Sequence, residues 1–359
     1  MIQAEGTEPT TLAPVSERDR FLSLDVLRGV AVLGILAMNI RIFAMPQATY
    51  FNPLAYGDYS GVNQYWYWFT SVFADQKFMT LFSLLFGAGM ALMSERAVAK
   101  GQPGKGLLMR RNAWLLVLGL MHAYLIWYGD ILVAYALCGS VVAFCRNWRP
   151  RTQVIVGMGF LLVPSLVLLA AGLSASHWPE ADMQIALQDW SPDAEALAEE
   201  LAIYQGGWLG QLPHRVGTAL EFQTAIFLLF AFWRVTGLML IGMALFRWGW
   251  LTAQRAPAAY RKLVFVGFGL AIPAIVWGLL QNERGGWDYI QTFFINGQFN
   301  YWGSVLMALG YIGLVMLWCL GDALPALRAR LAAVGRTAFS CYVSQSLICT
   351  LLFYGHGFG

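Results

Sequence analysis

The stretch RRNAWLLVLGLMHAYLIWYGD, residues 110–130, decides the fold class of this chain. Two arginines open an almost unbroken apolar run, which carries one histidine and closes on a Gly-Asp pair. A run of this length and composition is typical of a helix that crosses a lipid bilayer. Ten residues separate Arg111 from His122, so that at about 100° per residue both side chains lie on one helix face.

The same spacing places His122 near the middle of the bilayer. At about 1.5 Å per residue it lies about 16 Å from Arg111 along the helix axis, roughly half the thickness of the hydrocarbon core. An ionisable group near the midplane is costly, which makes His122 a candidate functional residue. A structural bond to a neighbouring helix is the alternative interpretation.

The composition excludes a water-soluble globule. Hydrophobic residues make up 58% of the chain and charged residues 12%, whereas soluble domains carry about twice that charged fraction. We therefore expect an all-α, polytopic integral membrane bundle in one domain, residues 21–359. The net charge of +3 is too small to indicate nucleic acid, and the five cysteines show neither CxxC pairing nor histidines at metal-ligand spacing. We predict no disulfide and no metal site.

Hydropathy predicts about nine transmembrane helices. They cover approximately residues 21–43, 78–93, the stretch from 111, the run after Gly129-Asp130 to 144, 154–173, 219–246, 263–280, 301–320 and 339–354. Most of the 23 lysines and arginines fall in alternate loops, which predicts a cytoplasmic N-terminus. Residues 1–20 contain no apolar core, so we expect a disordered cytoplasmic tail and not a signal peptide.

The largest outer segment, about residues 174–218, is rich in aspartate and glutamate. Its 193–204 portion reads as a short helix that follows Pro192. A solvated acidic face is the simpler interpretation, and a vestibule for an acceptor is the alternative. Aromatic residues 65–68 are typical of a belt at the outer interface.

Charged residues inside the predicted spans fall into three groups. Arg41 and Lys77 lie at outer helix ends, where long side chains are expected to reach the lipid headgroups. Asp25 and Arg28 are three residues apart, which suits either a structural ion pair or an anion site. Arg234 lies deep in its span and must meet a carboxylate, a carbonyl or water, so it is a further site candidate.

Uncharged polar groups and Asp130 are less specific. Ser344 and Gln345 belong to a polar stripe of the last span, which either lines a cavity or bonds neighbouring helices. The side-chain amides of residues 296, 298 and 300 likewise either line a cavity or bond neighbouring helices. Asp130 either orients an acceptor or caps the helix that follows it, and capping is the simpler role.

This set of residues suits acyl transfer from a nucleotide-linked donor. A neutral histidine at the midplane can act as a general base toward a hydroxyl or amine, or can itself accept an acyl group. Arginine matches phosphate oxygens with paired bonds, so Arg111, with Arg110 and Arg28 beside it, is expected to contact the anionic part of acyl-CoA. Acyl-CoA would then be a co-substrate, and we expect no tightly bound cofactor.

Four segments carry a family resemblance: FLSLDVLRGVAVLGILAMNI, KFMTLFSLLFGAGMAL, the stretch around His122 and the terminal VGRTAFSCYVSQSLICTLLFYGHG. They resemble the YeiB-like family, known as domain of unknown function 418, over essentially the whole chain after residue 18. That family is distantly similar to the acyltransferase 3 family and the heparan glucosaminide N-acetyltransferases. Their pattern of a basic residue, ten residues and a histidine matches Arg111 and His122, which implies a catalytic His122 and a donor-binding Arg111.

The resemblance implies transfer of an acyl group from cytoplasmic acyl-CoA to an acceptor at or beyond the membrane. A transporter of a small polar or amphipathic compound, with Arg28, Arg234 and His122 along its pathway, is the main alternative. A scaffold that only binds partners is a third. The lipid bilayer is the expected environment in each case, and a homodimer is left open.

Overall fold

The computed structural model describes residues 21–359, so the tail predicted for residues 1–20 lies outside the described range. Within this range the regular structure is all helical, without a β-strand. Its α-helices are α1 Leu22–Ala44, α2 Gly61–Phe73, α3 Lys77–Ala99, α4 Gly104–Leu125, α5 Leu132–Val142, α6 Pro150–Leu173, α7 Glu180–Trp190, α8 Ala194–Gln205, α9 Leu212–Glu221, α10 Phe232–Arg247, α11 Pro257–Arg284, α12 Gly297–Leu320, α13 Pro325–Arg336 and α14 Ala338–Phe353. Two π-helical segments join them, Phe222–Ala231 before α10 and Ile290–Asn296 before α12.

The fold is the predicted polytopic membrane bundle. In the described chain, six helical stretches are long and apolar enough to cross a membrane: Leu22–Ala44, Gly61–Ala99 (α2 and α3 with the turn between them), Pro150–Leu173, Leu212–Arg247, Pro257–Arg284 and Ile290–Leu320. The shorter apolar helices Leu132–Cys145 and Ala338–Phe353, together with α4, correspond to the remaining three predicted spans. Below, the near side is the side on which α1 begins, and the far side is the side on which it ends.

Local signals set several helix boundaries. Helices α6, α11 and α13 each have proline in the first turn, where its missing N–H costs nothing. Helix α8 matches the predicted 193–204 helix, and its N-cap Asp193 accepts a 2.9 Å bond from Ala196 N. Helices α2, α7 and α13 were not expected. They are 11 to 13 residues long, too short for a hydropathy window to identify.

Small residues allow the central helices to cross closely. A Cβ atom added at Gly87 of α3 would lie 2.0 Å from the carbonyl oxygen of Met239 on α10. One added at Gly242 would lie 1.9 Å from the carbonyl oxygen of Leu84. Such backbone contact through glycine is a common way to pack membrane helices. It fixes α10 against α3, and both helices carry polar residues described below.

The acidic segment after α6 docks on the far side of the bundle. Trp208 Nε1 and Arg215 Nη1 both donate to the carbonyl oxygen of Leu125, at 2.8 and 2.9 Å. Gly355 N donates to Tyr204 O at 2.8 Å, which ties the segment to the C-terminal turn. The segment therefore covers the far end of α4, just beyond His122.

Glu200 of α8 makes this docking dependent on pH. Its carboxylate accepts a 2.9 Å bond from Gln47 N. Burial raises the pKa of Glu200, an effect that the Gln47 bond and the nearby His214 only partly offset. Because the pKa is higher in the folded protein than in the unfolded chain, the protonated carboxyl stabilises the fold. This contribution is complete below the unfolded pKa and is lost as pH rises through the folded pKa.

We therefore expect the thermal midpoint of the purified protein to fall, relative to that of Glu200→Gln, as the pH rises from about 4 toward neutrality. Glu195→Gln, on the exposed face of the same helix, is the matched control and should leave the curve unchanged. Parallel curves for wild type and Glu200→Gln would contradict this account.

Candidate functional site

The candidate site is built around a break between α4 and α5. Residues 126–131 are not helical, and α5 begins beside the interior of α4, since a Cβ atom at Gly119 would lie 2.7 Å from Val133 N. Trp127 and Tyr128 in this connection are buried. Irregular backbone at membrane depth is tolerated where other protein segments cover it. The break brings the end of the 110–130 stretch back toward His122.

Asp130 is the partner that this break supplies to His122. The Nδ1 atom of His122 and the Oδ1 atom of Asp130 are 2.9 Å apart, and their side chains are only 2% and 1% exposed. The other oxygen, Oδ2, accepts a 2.7 Å bond from Val133 N in the first turn of α5. Asp130 thus caps α5, as the simpler interpretation predicted, and also faces the histidine.

Tyr342 of α14 completes the cluster and was not predicted. Its ring centroid lies 5.1 Å from that of His122. Its hydroxyl accepts from Ile131 N at 3.3 Å and approaches Gly129 O at 3.4 Å, so it holds the break in place. No spacing in the sequence connects α14 to α4. The only signal was the position of Tyr342 beside Ser344 and Gln345 in a polar stripe.

The ring of His122 has unused hydrogen-bonding capacity. Within the described residues, Nε2 is buried and has no hydrogen-bond partner, and the close Nδ1 contact is not aligned as a good hydrogen bond. Buried polar atoms are normally paired, so an unpaired one needs an explanation. A proton on Nδ1, facing the carboxylate of Asp130, leaves Nε2 as an acceptor.

Arg111 and Arg28 meet in the near half of the bundle. Arg28 Nη1 lies 3.2 Å from Asp25 Oδ1, the pairing that their spacing predicted. The guanidinium of Arg111 packs on the ring of Phe86 at 4.3 Å, and its buried Nη1 has no hydrogen-bond partner in the described structure. The two arginines are close enough to repel each other electrostatically. Arg110, in contrast, is exposed on another face of α4.

Arg234 belongs to a different cluster, in the far half of the bundle. It is fully buried, donates to Thr80 Oγ1 at 3.1 Å and Ser304 Oγ at 2.7 Å, and stacks on Tyr301 at 4.1 Å. Hydroxyls, a ring and a weak contact to the Tyr301 carbonyl surround this arginine. In the described part of the chain no carboxylate lies within ion-pair distance of it.

The expectation that Lys77 and Arg41 reach the headgroups was wrong, because both side chains are buried. Lys77 is fully buried and donates to Ser71 O and Asn300 Oδ1. Arg41 is 8% exposed and packs between the rings of Tyr50 and Tyr67, at 5.4 and 4.7 Å. The prediction was wrong because α2 and the loop before it cover both helix ends, which a scan for spans does not anticipate.

Ser344 and Gln345 lie outside these clusters. Ser344 is exposed on α14, whereas Gln345 Nε2 donates to Val32 O of α1 at 3.2 Å. The bond of Gln345 is of the kind that joins membrane helices. Among residues 21–359, no group of three or more His, Cys, Asp or Glu side chains is arranged to hold a metal ion.

Comparisons with known proteins identify the family. The model of the family described as protein of unknown function DUF418 matches residues 245–359. The uncharacterized protein YeiB of Escherichia coli is 34% identical over 94% of this chain and 85% of its own length. The uncharacterized protein YxaH of Bacillus subtilis is 27% identical over 98% of this chain and 85% of its own length. No solved structure matches. The chain therefore belongs to the YeiB-like DUF418 family.

Proposed function

We propose that this protein is a bacterial inner-membrane acyltransferase that moves an acyl group from cytoplasmic acyl-CoA to an acceptor at or beyond the membrane. One observation carries the proposal: His122 and Asp130, both buried inside a bundle of membrane helices, face each other at 2.9 Å while Nε2 of the histidine is unpaired. A carboxylate behind a histidine is the arrangement of a general base. The near side is then cytoplasmic, as the positive charges indicate.

In the proposed reaction, the acceptor oxygen or nitrogen attacks the thioester carbon. His122 Nε2 takes the proton from that oxygen or nitrogen as the attack proceeds. The new carbon–oxygen or carbon–nitrogen bond forms and the carbon–sulfur bond breaks. The proton then passes to the CoA sulfur, so the products are the acylated acceptor and CoA. Asp130 holds the ring in one tautomer and stabilises the imidazolium that forms in between.

Arg111 supports a donor site on the near side of the histidine. Its buried, unpaired Nη1 and the neighbouring charge of Arg28 favour an anionic group such as a phosphate of acyl-CoA. Arg111 lies about 16 Å from His122 along α4, so the pantetheine arm would extend from the phosphates to the catalytic base. Arg110 is proposed as a weaker, peripheral contact at the mouth.

We expect acyl-CoA to raise the thermal midpoint of the detergent-purified protein. At about a hundred times its dissociation constant, a ligand that binds only the folded state stabilises it by about 2.7 kcal/mol. Arg111→Ala should lose this shift because it removes the buried guanidinium. Arg110→Ala, one position away on the exposed face, is the matched control and should keep most of it. An equal loss in both variants, or no shift with any acyl chain, would count against the donor site.

Transport is a second candidate, favoured by the same break. Transporters bind substrates at interrupted helices near the midplane, and residues 126–131 interrupt this bundle at the depth of His122. A transporter should exchange a labelled solute across proteoliposomes without releasing free CoA. Release of CoA that depends on His122 would instead support acyl transfer over transport.

A further inference from the structure

A cavity lies in the far half of the bundle, away from His122. Its volume is about 110 Å³, and it is walled mainly by α2, the turn between α2 and α3, α11, the π-helical segment Ile290–Asn296 and the start of α12. None of His122, Asp130 and Tyr342 lines it. The space exceeds that of a single water, whose share of liquid volume is about 30 Å³. The cavity is therefore a separate, ligand-sized space.

Three buried cations contact residues that line this cavity, whereas the lining itself contains the carboxylate of Asp75. Lys77 donates to Asn300, Arg234 stacks on Tyr301, and Arg41 packs on Tyr67, and each of these three partners lines the cavity. The three cations are at most 8% exposed. They thus form a positive layer directly behind the lining residues.

Asp75 offsets only part of this charge. One of its carboxylate oxygens accepts from Tyr50 OH at 2.7 Å and the other from Asn300 Nδ2 at 2.6 Å. Neither Lys77 nor Arg234 makes an ion pair with a carboxylate in the described residues. Even with Lys77 neutral, two buried arginines around one carboxylate leave an excess of positive charge, which in a low-dielectric interior is stabilised by an anion.

Two residues that line the cavity carry buried polar atoms without a hydrogen-bond partner in the described structure. The Oγ1 atom of Thr292, a cavity-lining residue that is 7% exposed, has no hydrogen-bond partner in the described structure. The buried Oε1 atom of Gln76, which also lines the cavity, has none either, and Gln76 adopts a left-handed backbone with φ of 61°. A strained residue and an unpaired hydroxyl at one cavity are typical of a ligand site.

We propose that this far-side cavity binds a small oxyanion, the phosphate or carboxylate group of a ligand that enters from the far side. The buried charges of Lys77, Arg234 and Arg41 attract the group, and Thr292 donates its hydroxyl. The inference goes beyond the proposed acyl transfer and is independent of His122. The oxyanion belongs either to a free solute or to a lipid headgroup, and the test separates the two.

The test uses the full chain in nanodiscs of phosphatidylcholine. Inorganic phosphate, acetate and glycerol 3-phosphate are titrated against uncharged glycerol, with the thermal midpoint as readout. A parallel set of nanodiscs contains phosphatidylglycerol. The main variant is Gly297→Leu, because Gly297 lines the cavity and a Cβ atom there meets only Thr292 O at 3.4 Å. The control is Gly159→Leu, where a Cβ atom meets nothing within 4 Å.

We expect the anionic probes, but not glycerol, to raise the midpoint of wild type, Gly159→Leu and His122→Ala. Gly297→Leu should bind at least about tenfold more weakly, and so should Lys77→Gln if it folds. A rise with phosphatidylglycerol alone, lost in Gly297→Leu, identifies a lipid headgroup and also supports the proposal. It is overturned if no anionic probe or lipid shifts the midpoint, if glycerol acts equally, or if Gly297→Leu responds as wild type does.

Discussion

Gly242→Val should destabilise the protein by at least about 3 kcal/mol or prevent its folding. A Cβ atom at this position would lie 1.9 Å from Leu84 O and 2.6 Å from Leu84 C. These are backbone atoms of α3, so no side-chain rotation relieves the clash and the two helices must separate. The measurement is the yield of monodisperse protein in mild detergent, followed by its thermal midpoint.

The control for this packing prediction is Gly159→Val on α6. There an added Cβ atom meets nothing within 4 Å, and the same change of residue type should cost only the modest helix propensity of valine. A Gly242→Val protein as stable as Gly159→Val would show that α3 and α10 do not cross at these glycines. The positions of Arg234 on α10 and Lys77 on α3 would then need to be reconsidered.

His122→Ala should lower acyl transfer by about a hundredfold to ten-thousandfold, the usual contribution of a positioned general base. Asp130→Asn should lower it by at least about tenfold, because an amide no longer stabilises the imidazolium. His122→Ala should keep the thermal shift with acyl-CoA, since the donor phosphates bind near Arg111. The measurement is the rate at which free CoA thiol appears in the presence of acceptor-containing membranes.

Two controls distinguish a catalytic role from a structural one. His177→Ala removes an exposed histidine on the far side and should transfer acyl groups at the wild-type rate. The double variant His122→Ala with Asp130→Asn should be no slower than His122→Ala alone, because residues that act as one unit lose function together. Additive losses, or a His122→Ala protein with unchanged kinetics, would contradict the assignment.

The architecture could be predicted from the sequence because hydropathy is a local property. The predicted span 21–43 is α1 Leu22–Ala44, and 154–173 lies within α6 Pro150–Leu173. The π-helical segments could not be predicted, since their hydrogen-bond pattern depends on packing against other helices. One of them ends three residues before Arg234, and the other carries Thr292 at the far-side cavity.

The site was only partly predictable. Arg111 and His122 lie on one helix, so their relative position could be predicted from their spacing in the sequence. Asp130 lies in the same stretch and was therefore also a candidate. Tyr342 and the far-side cluster depend on contacts between residues distant in sequence, such as Lys77 with Asn300 or Tyr50 with Asp75. Predicting such contacts requires knowledge of which helices are neighbours. The same limit explains why two cations predicted at the interface lie instead in the interior.

Transfer of label from acyl-CoA in membrane vesicles is the decisive measurement for acyl transfer by His122. Inside-out vesicles that contain wild type or His122→Ala protein at equal levels receive acetyl-CoA labelled in the acetyl group. If His122 is the catalytic base, label moves to a membrane-bound or lumenal acceptor, with stoichiometric release of CoA, in wild-type vesicles and not in His122→Ala vesicles. Equal labelling in the two, or no labelling with acetyl-CoA or longer acyl-CoAs, would contradict it.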